Sequence, residues 1–365
     1  MSKNCLILAN SSGGLHNFRK ALIIELSKKM SVTASVPLND NVPDLEALGC
    51  RMIETEFNRR STNPVKDLAL LRTYIRLIKH ERPDLVLTYT IKPNIYGGLA
   101  SRLNRVPYAA NITGLGTAFG NRGLLRIMVT SMYRAALKKA KVVFFENAAN
   151  RDLFVNGKII RASQACLLNG AGVNLERFSL QPYPENERFR FLFIGRVMRE
   201  KGIEELIAAA RRLWAEGAGC VLDVVGGYEE DYSAAMERAE AEGWLTYHGQ
   251  QPDVRPFIAA CDCFVLPSWH EGMANTNLEC AASGRPLITS DIPGCREAVI
   301  DGVSGLLCEP KNAESLYKAM KRMLALPPAR RRAMGLAGRA HMEKVFDKQK
   351  VVEKTIERLS IGATV

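Results

Sequence analysis

The sequence predicts an α/β chain built as two doubly wound, Rossmann-like domains. Three observations carry that expectation. The chain has 365 residues, which suits two domains at roughly 150 residues each. Short apolar runs of strand type alternate with amphipathic helical patterns in both halves, the mark of a parallel sheet covered on both faces. A polar, Gly-rich stretch, LNGAGVNLERF followed by PYPENER, interrupts the alternation near the middle.

The first half opens with the apolar run NCLILA (4–9), then the loop text NSSGG, then a helical pattern carrying Leu15, Phe18, Leu22, Ile23 and Leu26. Further strands are expected at Val32–Val36, Leu85–Thr88, Tyr108–Ile112 and Val142–Phe145, with helices at Val65–His80 and Leu124–Lys139. The second half repeats the scheme with strands at Phe189–Ile194, Val221–Val225, Cys263–Pro267 and Pro286–Thr289. Its helices are expected at Ile203–Glu216, Tyr232–Glu242 and Asn275–Ser283. The expected division is 1–172 and 173–345, with 346–365 a closing helix that packs back on the first domain. In open sheets of this kind ligands bind beyond the carboxyl ends of the strands.

Composition narrows the class. A hydrophobic fraction of 47% and a charged fraction of 24% are those of a folded globular protein. Nine cysteines, an odd number without paired spacing, read as reduced core residues. Cys261 and Cys263 lack the second pair or histidine cluster that a zinc site needs. The first apolar run is too short for a signal-peptide core, and no stretch approaches the ~20 apolar residues that span a bilayer. The expected location is therefore cytoplasmic. Net charge is +12, divided as +14 over residues 1–180 and −2 over 181–365. Such asymmetry suits a first domain that faces something anionic, although a solvated basic surface gives the same count.

Two segments of the second half carry chemistry. FIGRVMREKGIEEL places Arg196 after a strand and Lys201 just before a helix, an arrangement suited to clamping a diphosphate. Such cations also decorate ordinary loops. SWHEGMANTNLECAASGRP places Glu271 in the loop after a strand, Gly272 where close backbone approach is permitted, and Glu279 one turn into a helix that starts near Asn275. The helix terminus can offer N–H groups to a phosphate, Glu279 can accept hydrogen bonds from ribose hydroxyls, and Glu271 can reach a sugar. Flanked by Leu278, Cys280 and Ala281, a carboxylate at 279 needs a partner. The acidic run Glu229–Asp231 follows Gly226 and Gly227 and reads as a solvated turn. The five histidines are isolated in sequence.

The Glu-x7-Glu spacing of Glu271 and Glu279, with Arg196 and Lys201 upstream and NGAGVNLERF between the halves, resembles the family-4 retaining glycosyltransferases of the GT-B fold. In that fold two Rossmann-like domains face each other across a cleft. TYTIKPNIYGGLA and NITGLGTAF in the first half are similar to bacterial members that extend undecaprenyl-diphosphate-linked sugars. The resemblance implies a UDP-sugar donor whose diphosphate meets Arg196 and Lys201, whose ribose meets Glu279 and whose sugar meets Glu271. Gly272, Met273, Ala274 and Asn275 would add backbone donors, and Gly13 and Gly14 would approach the diphosphate from the first domain. It also implies a polyprenyl-diphosphate-linked sugar acceptor, with Lys92, expected in the loop after the strand Leu85–Thr88, Asn94 and Thr113 as candidate contacts.

Many members carry a histidine after the fourth strand. Here Thr88–Asn94 has none and Ile91 stands in its place, which leaves the general base unassigned. No Asp-x-Asp ends a strand, so neither metal nor other cofactor is expected beyond the nucleotide-sugar co-substrate. The basic helical patterns at Val65–His80 and Leu124–Lys141 suggest peripheral attachment to an anionic membrane surface. A transferase with a soluble acceptor and a nucleotide-sugar epimerase remain alternatives within the same fold. Nucleic-acid binding is not expected, because no aromatic-rich basic strand or basic arm is present.

Overall fold

The computed structural model describes residues 3–39, 41–57, 63–115 and 123–361. The chain forms two compact units, Met1–Ala171 together with Gln349–Val365, and Gly172–Lys348.

In the first unit seven parallel strands lie in the order β3-β2-β1-β4-β5-β6-β7. They are β1 (Asn4–Leu8), β2 (Ser31–Val36), β3 (Cys50–Glu54), β4 (Leu85–Tyr89), β5 (Tyr108–Ile112), β6 (Val142–Phe145) and β7 (Ala165–Leu167). The central strands read as unbroken apolar runs because both faces are covered: every residue of LVLTY, YAANI and VVFF is buried. One core cluster joins Leu15, Leu22, Ile23 and Leu26 of the Ser12–Ser27 helix to Cys5 and Ile7. On the other face Leu70, Tyr74 and Ile78 of the Pro64–Glu81 helix, with Val129, Tyr133 and Leu137 of the Leu124–Leu137 helix, meet Leu6 and Leu8.

Two local expectations are corrected here. Gly13 and Gly14 are not in a loop but form the first turn of the Ser12–Ser27 helix, which Ser11 caps by accepting the Gly14 N–H at 3.1 Å. Lys92 likewise sits in a helical turn rather than a loop. It directly precedes a wide-turn segment, Pro93–Gly97, that continues into Gly98–Leu103. Pro93 fits this first turn because its missing N–H would have had no intrahelical acceptor.

The second unit holds six parallel strands in the order β10-β9-β8-β11-β12-β13. They are β8 (Phe189–Ile194), β9 (Cys220–Val225), β10 (Leu245–Tyr247), β11 (Cys263–Leu266), β12 (Leu287–Ser290) and β13 (Gly305–Cys308). In both sheets the winding reverses once, between β1 and β4 and between β8 and β11. Crevices for ligands open at such reversals, at the carboxyl ends of the strands.

Where the chain passes between the units its two crossings run side by side. Val173 donates to the Phe346 carbonyl at 2.8 Å and its own carbonyl accepts from Lys348 at 3.1 Å. Gly172, at φ +67, lies so close to Lys348 that a Cβ would stand 2.6 Å from its Cα. The closing helix Lys348–Leu359 buries Val351, Val352 and Leu359 in the first unit. All nine cysteines are unpaired and buried.

The closing helix gives a direct test. Val352→Asp places an unpaired carboxylate in that core and should lower stability by about 3 kcal/mol, read as a fall in the denaturant midpoint.

Candidate functional site

At the reversal of the second sheet, the loops after β8 and β11 are pressed together. Gly202 adopts φ +73, and a Cβ there would fall 2.1 Å from the Pro267 carbonyl oxygen. Only glycine allows that approach. The Trp269 N–H donates to the Glu200 carbonyl at 2.9 Å, and its indole N–H reaches Glu205 at 3.1 Å. Held this way, Lys201 from one loop meets Glu271 from the other in a short ion pair, and Ser268 Oγ donates to the same carboxylate oxygen at 2.9 Å. Both side chains of the pair are largely shielded from water. Arg196, just past β8, is more open and pairs with Glu229 at 3.0 Å.

The Glu271 loop is braced from its far side as well. Gly294, at φ +89, lies where a Cβ would stand 2.7 Å from the Glu271 carbonyl oxygen. Its own carbonyl accepts the Ala274 N–H at 2.7 Å, and its N–H donates to Glu297 at 2.7 Å. The helix Asn275–Ala282 starts at this brace. Ala274 is therefore corrected as a free donor, since its N–H is already used. Met273 and Ala274 also bury their side chains in the core. Asn277 donates its backbone N–H to the Ala274 carbonyl, while Asn275 and Thr276 have no backbone acceptor among the described residues. The Asn275 side-chain oxygen is buried without a partner. This helix start thus presents polar groups that water or an anion would satisfy.

Glu279 lies one turn further along that helix. Burial pushes its carboxyl up to about 7, with Lys348 and Arg177 partly opposing the shift. Among the described residues nothing donates a hydrogen bond to the carboxylate. A poorly solvated acceptor of this kind has most to gain from hydroxyl donors.

The first unit's candidates are placed differently. Asn94 is fully buried, accepting from Thr88 Oγ1 at 2.7 Å and donating to the Asn111 carbonyl at 2.8 Å. It ties the ends of β4 and β5 together and is corrected as an acceptor contact. Lys92 forms an ion pair with Asp67 at 2.7 Å and is only 13% exposed, so it is not the free cation that its place in the sequence suggested. Thr113 follows β5 and is half-buried. Sequence reasoning missed a buried charge pair at the same sheet edge: Arg19 and Glu146, 2.5 Å apart, with the guanidinium over the Tyr89 ring at 5.0 Å. Burial raises the Glu146 carboxyl, and Arg19 opposes that shift. Thr90, at φ +71, adds local strain at the end of β4.

Comparison with known proteins fits this geometry. Residues 177–341 match the family described as glycosyl transferases group 1, and residues 5–147 match glycosyl transferase 4-like proteins. A Campylobacter jejuni protein, N,N'-diacetylbacillosaminyl-diphospho-undecaprenol alpha-1,3-N-acetylgalactosaminyltransferase, is 30% identical over 336 residues, covering 87% of this chain and 88% of that one. The chain belongs to the group 1 glycosyltransferases. Solved structures share the fold of this glycosyltransferase. A Rickettsia africae glycosyltransferase covers all of both chains at a TM-score of 0.80 and 18% identity. The Anabaena protein HepE, in complex with UDP and glucose, covers 98% of this chain and 99% of its own at a TM-score of 0.79 and 18% identity. The two Rossmann-like units are those of the GT-B architecture.

Because burial pushes the Glu279 carboxyl up to about 7, the glycosyltransferase should hold nucleotide more tightly as pH rises through that value and the charged acceptor forms. The dissociation constant for UDP, measured between pH 6 and pH 8, should fall with pH in the wild type. In Glu279→Gln the dependence should flatten.

Proposed function

We propose that this enzyme transfers a hexose or N-acetylhexosamine from a UDP-sugar to a sugar carried on a polyprenyl diphosphate, with retention of anomeric configuration. The observation that carries the donor half is the Lys201–Glu271 pair beside Arg196 and the Asn275–Ala282 helix start. Two cations and a helix N-terminus at one sheet reversal suit a diphosphate. Glu279, one turn along, suits ribose hydroxyls. In this reading Lys201 and Arg196 exchange their internal carboxylate partners for donor phosphate oxygens.

The reaction breaks the bond from the sugar C1 to the diphosphate oxygen, and the electron pair leaves with UDP. An acceptor hydroxyl oxygen bonds to C1 on the face from which the diphosphate departs, which retains the configuration, and its proton passes to an oxygen of the departing diphosphate. Negative charge grows on the leaving diphosphate, so fixed cations lower the barrier more than they tighten ground-state binding. Glu271, freed from Lys201 but still held by Ser268, orients the transferred sugar.

The acceptor half rests on the Campylobacter relative, whose name states a diphospho-undecaprenol-linked acceptor, and on the +14 charge of residues 1–180. We place the enzyme at an anionic membrane surface in surface-glycan assembly. Among the described residues no helix is long and apolar enough to cross a membrane.

Lys201→Ala and Arg196→Ala should each lower kcat about 100-fold with a smaller change in donor affinity, whereas Glu279→Ala should weaken UDP binding about tenfold. Steady-state kinetics with UDP-sugars and a short polyprenyl-diphosphate sugar, with products identified by mass spectrometry, checks all three. Turnover should survive EDTA. Complete loss on chelation, restored by manganese or magnesium, would assign charge neutralisation to a metal instead of to Lys201 and Arg196.

A further inference from the structure

Eight large apolar side chains among the described residues of the first unit are exposed, and five of them fall on two of its helices. Val65, 77% exposed, and Leu68 belong to the Pro64–Glu81 helix. Leu125, Ile127, 65% exposed, and Met128, 51% exposed, belong to the Leu124–Leu137 helix. Both helices pack on the same face of the sheet through one shared core. Each leads directly into the start of a strand, β4 or β6, and so runs antiparallel to the strands. At about 1.5 Å per residue each spans the strand length, which brings its first turns to the carboxyl edge. All five side chains therefore gather at the edge where parallel sheets bind ligands.

Cations accompany them. Lys66, Arg72 and Arg126 have no carboxylate partner among the described residues. The Leu124–Leu137 helix contains no acidic residue, and Asp67, the acid in the first turn of the other helix, is occupied by Lys92. An apolar tip beside unpaired cations matches one surface chemistry closely: acyl chains below, phosphate headgroups above.

We propose that the first turns of these two helices insert into the surface of an anionic bilayer, with Ile127 and Met128 as the deepest side chains. The inference deepens the lipid-linked acceptor reading and rests on it. Attachment is then partly hydrophobic, not merely the charge adhesion that the net +14 suggests, and it sets the substrate edge of the sheet against the lipid.

The test is flotation with phosphatidylcholine vesicles with and without phosphatidylglycerol, at low and high salt. Wild-type binding should need phosphatidylglycerol and should weaken, yet persist, at high salt. Ile127→Gln with Met128→Gln should cut partitioning at least about tenfold, while thermal unfolding and turnover on detergent-dispersed acceptor stay unchanged. Ile127→Trp should be quenched by brominated lipid, since the native tryptophans all lie in the second unit. Undiminished binding of the double glutamine variant would overturn the proposal, as would complete release by salt. So would a wild-type dimer that the same variant dissolves without any vesicle binding. Failure to glycosylate detergent-dispersed polyprenyl-diphosphate sugar would instead overturn the acceptor reading, whatever the vesicles show.

Discussion

The Lys201–Glu271 ion pair bridges the two loops that part at the reversal of the second sheet. It forms because Gly202 packs against the Pro267 carbonyl, at a distance no side chain would permit. Around that contact Trp269 ties the β11 loop to the β8 loop, Gly294 props the Glu271 backbone, and the Asn275–Ala282 helix starts in a fixed direction. Shielded from water, the pair is well placed to be exchanged for another anion. A charge desolvated in the free protein loses less on meeting a diphosphate than a fully hydrated one does.

The site is thus held closed by its own carboxylates. Glu229 neutralises Arg196 and Glu271 neutralises Lys201, so the free enzyme avoids two uncompensated cations at one sheet edge. Glu279 follows another course. Among the described residues nothing donates a hydrogen bond to it, and burial lifts its carboxyl toward neutrality. The first unit repeats the theme with Arg19 and Glu146 and with Lys92 and Asp67, pairs that hold the carboxyl edge of its sheet together.

Much of this was legible in the sequence. Strands with two covered faces announce themselves as apolar runs, so β5, β6 and β8 appear with the bounds the pattern gives. The edge strand β3, with Arg51 and Glu54, carries too much charge to be read this way, and β7 and β10 have only three residues each. The family was legible because Arg196, Lys201, Glu271 and Glu279 fall within two short segments. Their partners were not. Glu229 lies 33 positions from Arg196, and Glu146 lies 127 from Arg19, separations that only the folded sheet brings together. Ser268 stood beside Glu271 in the text, and its strand-end position was the available signal. Asn94 misled for the opposite reason: a polar residue beside a strand end resembles a ligand contact until burial shows that groups of the fold already occupy it.

The decisive comparison is the affinity of UDP against that of uridine, measured by titration calorimetry on the wild type and on Arg196→Ala with Lys201→Ala. If the diphosphate takes the place of Glu229 and Glu271 as partner of the two cations, the wild type should prefer UDP and the double variant should keep only the smaller part of that preference that the Asn275–Ala282 helix start supplies. An undiminished preference in the double variant would show that the diphosphate is held elsewhere.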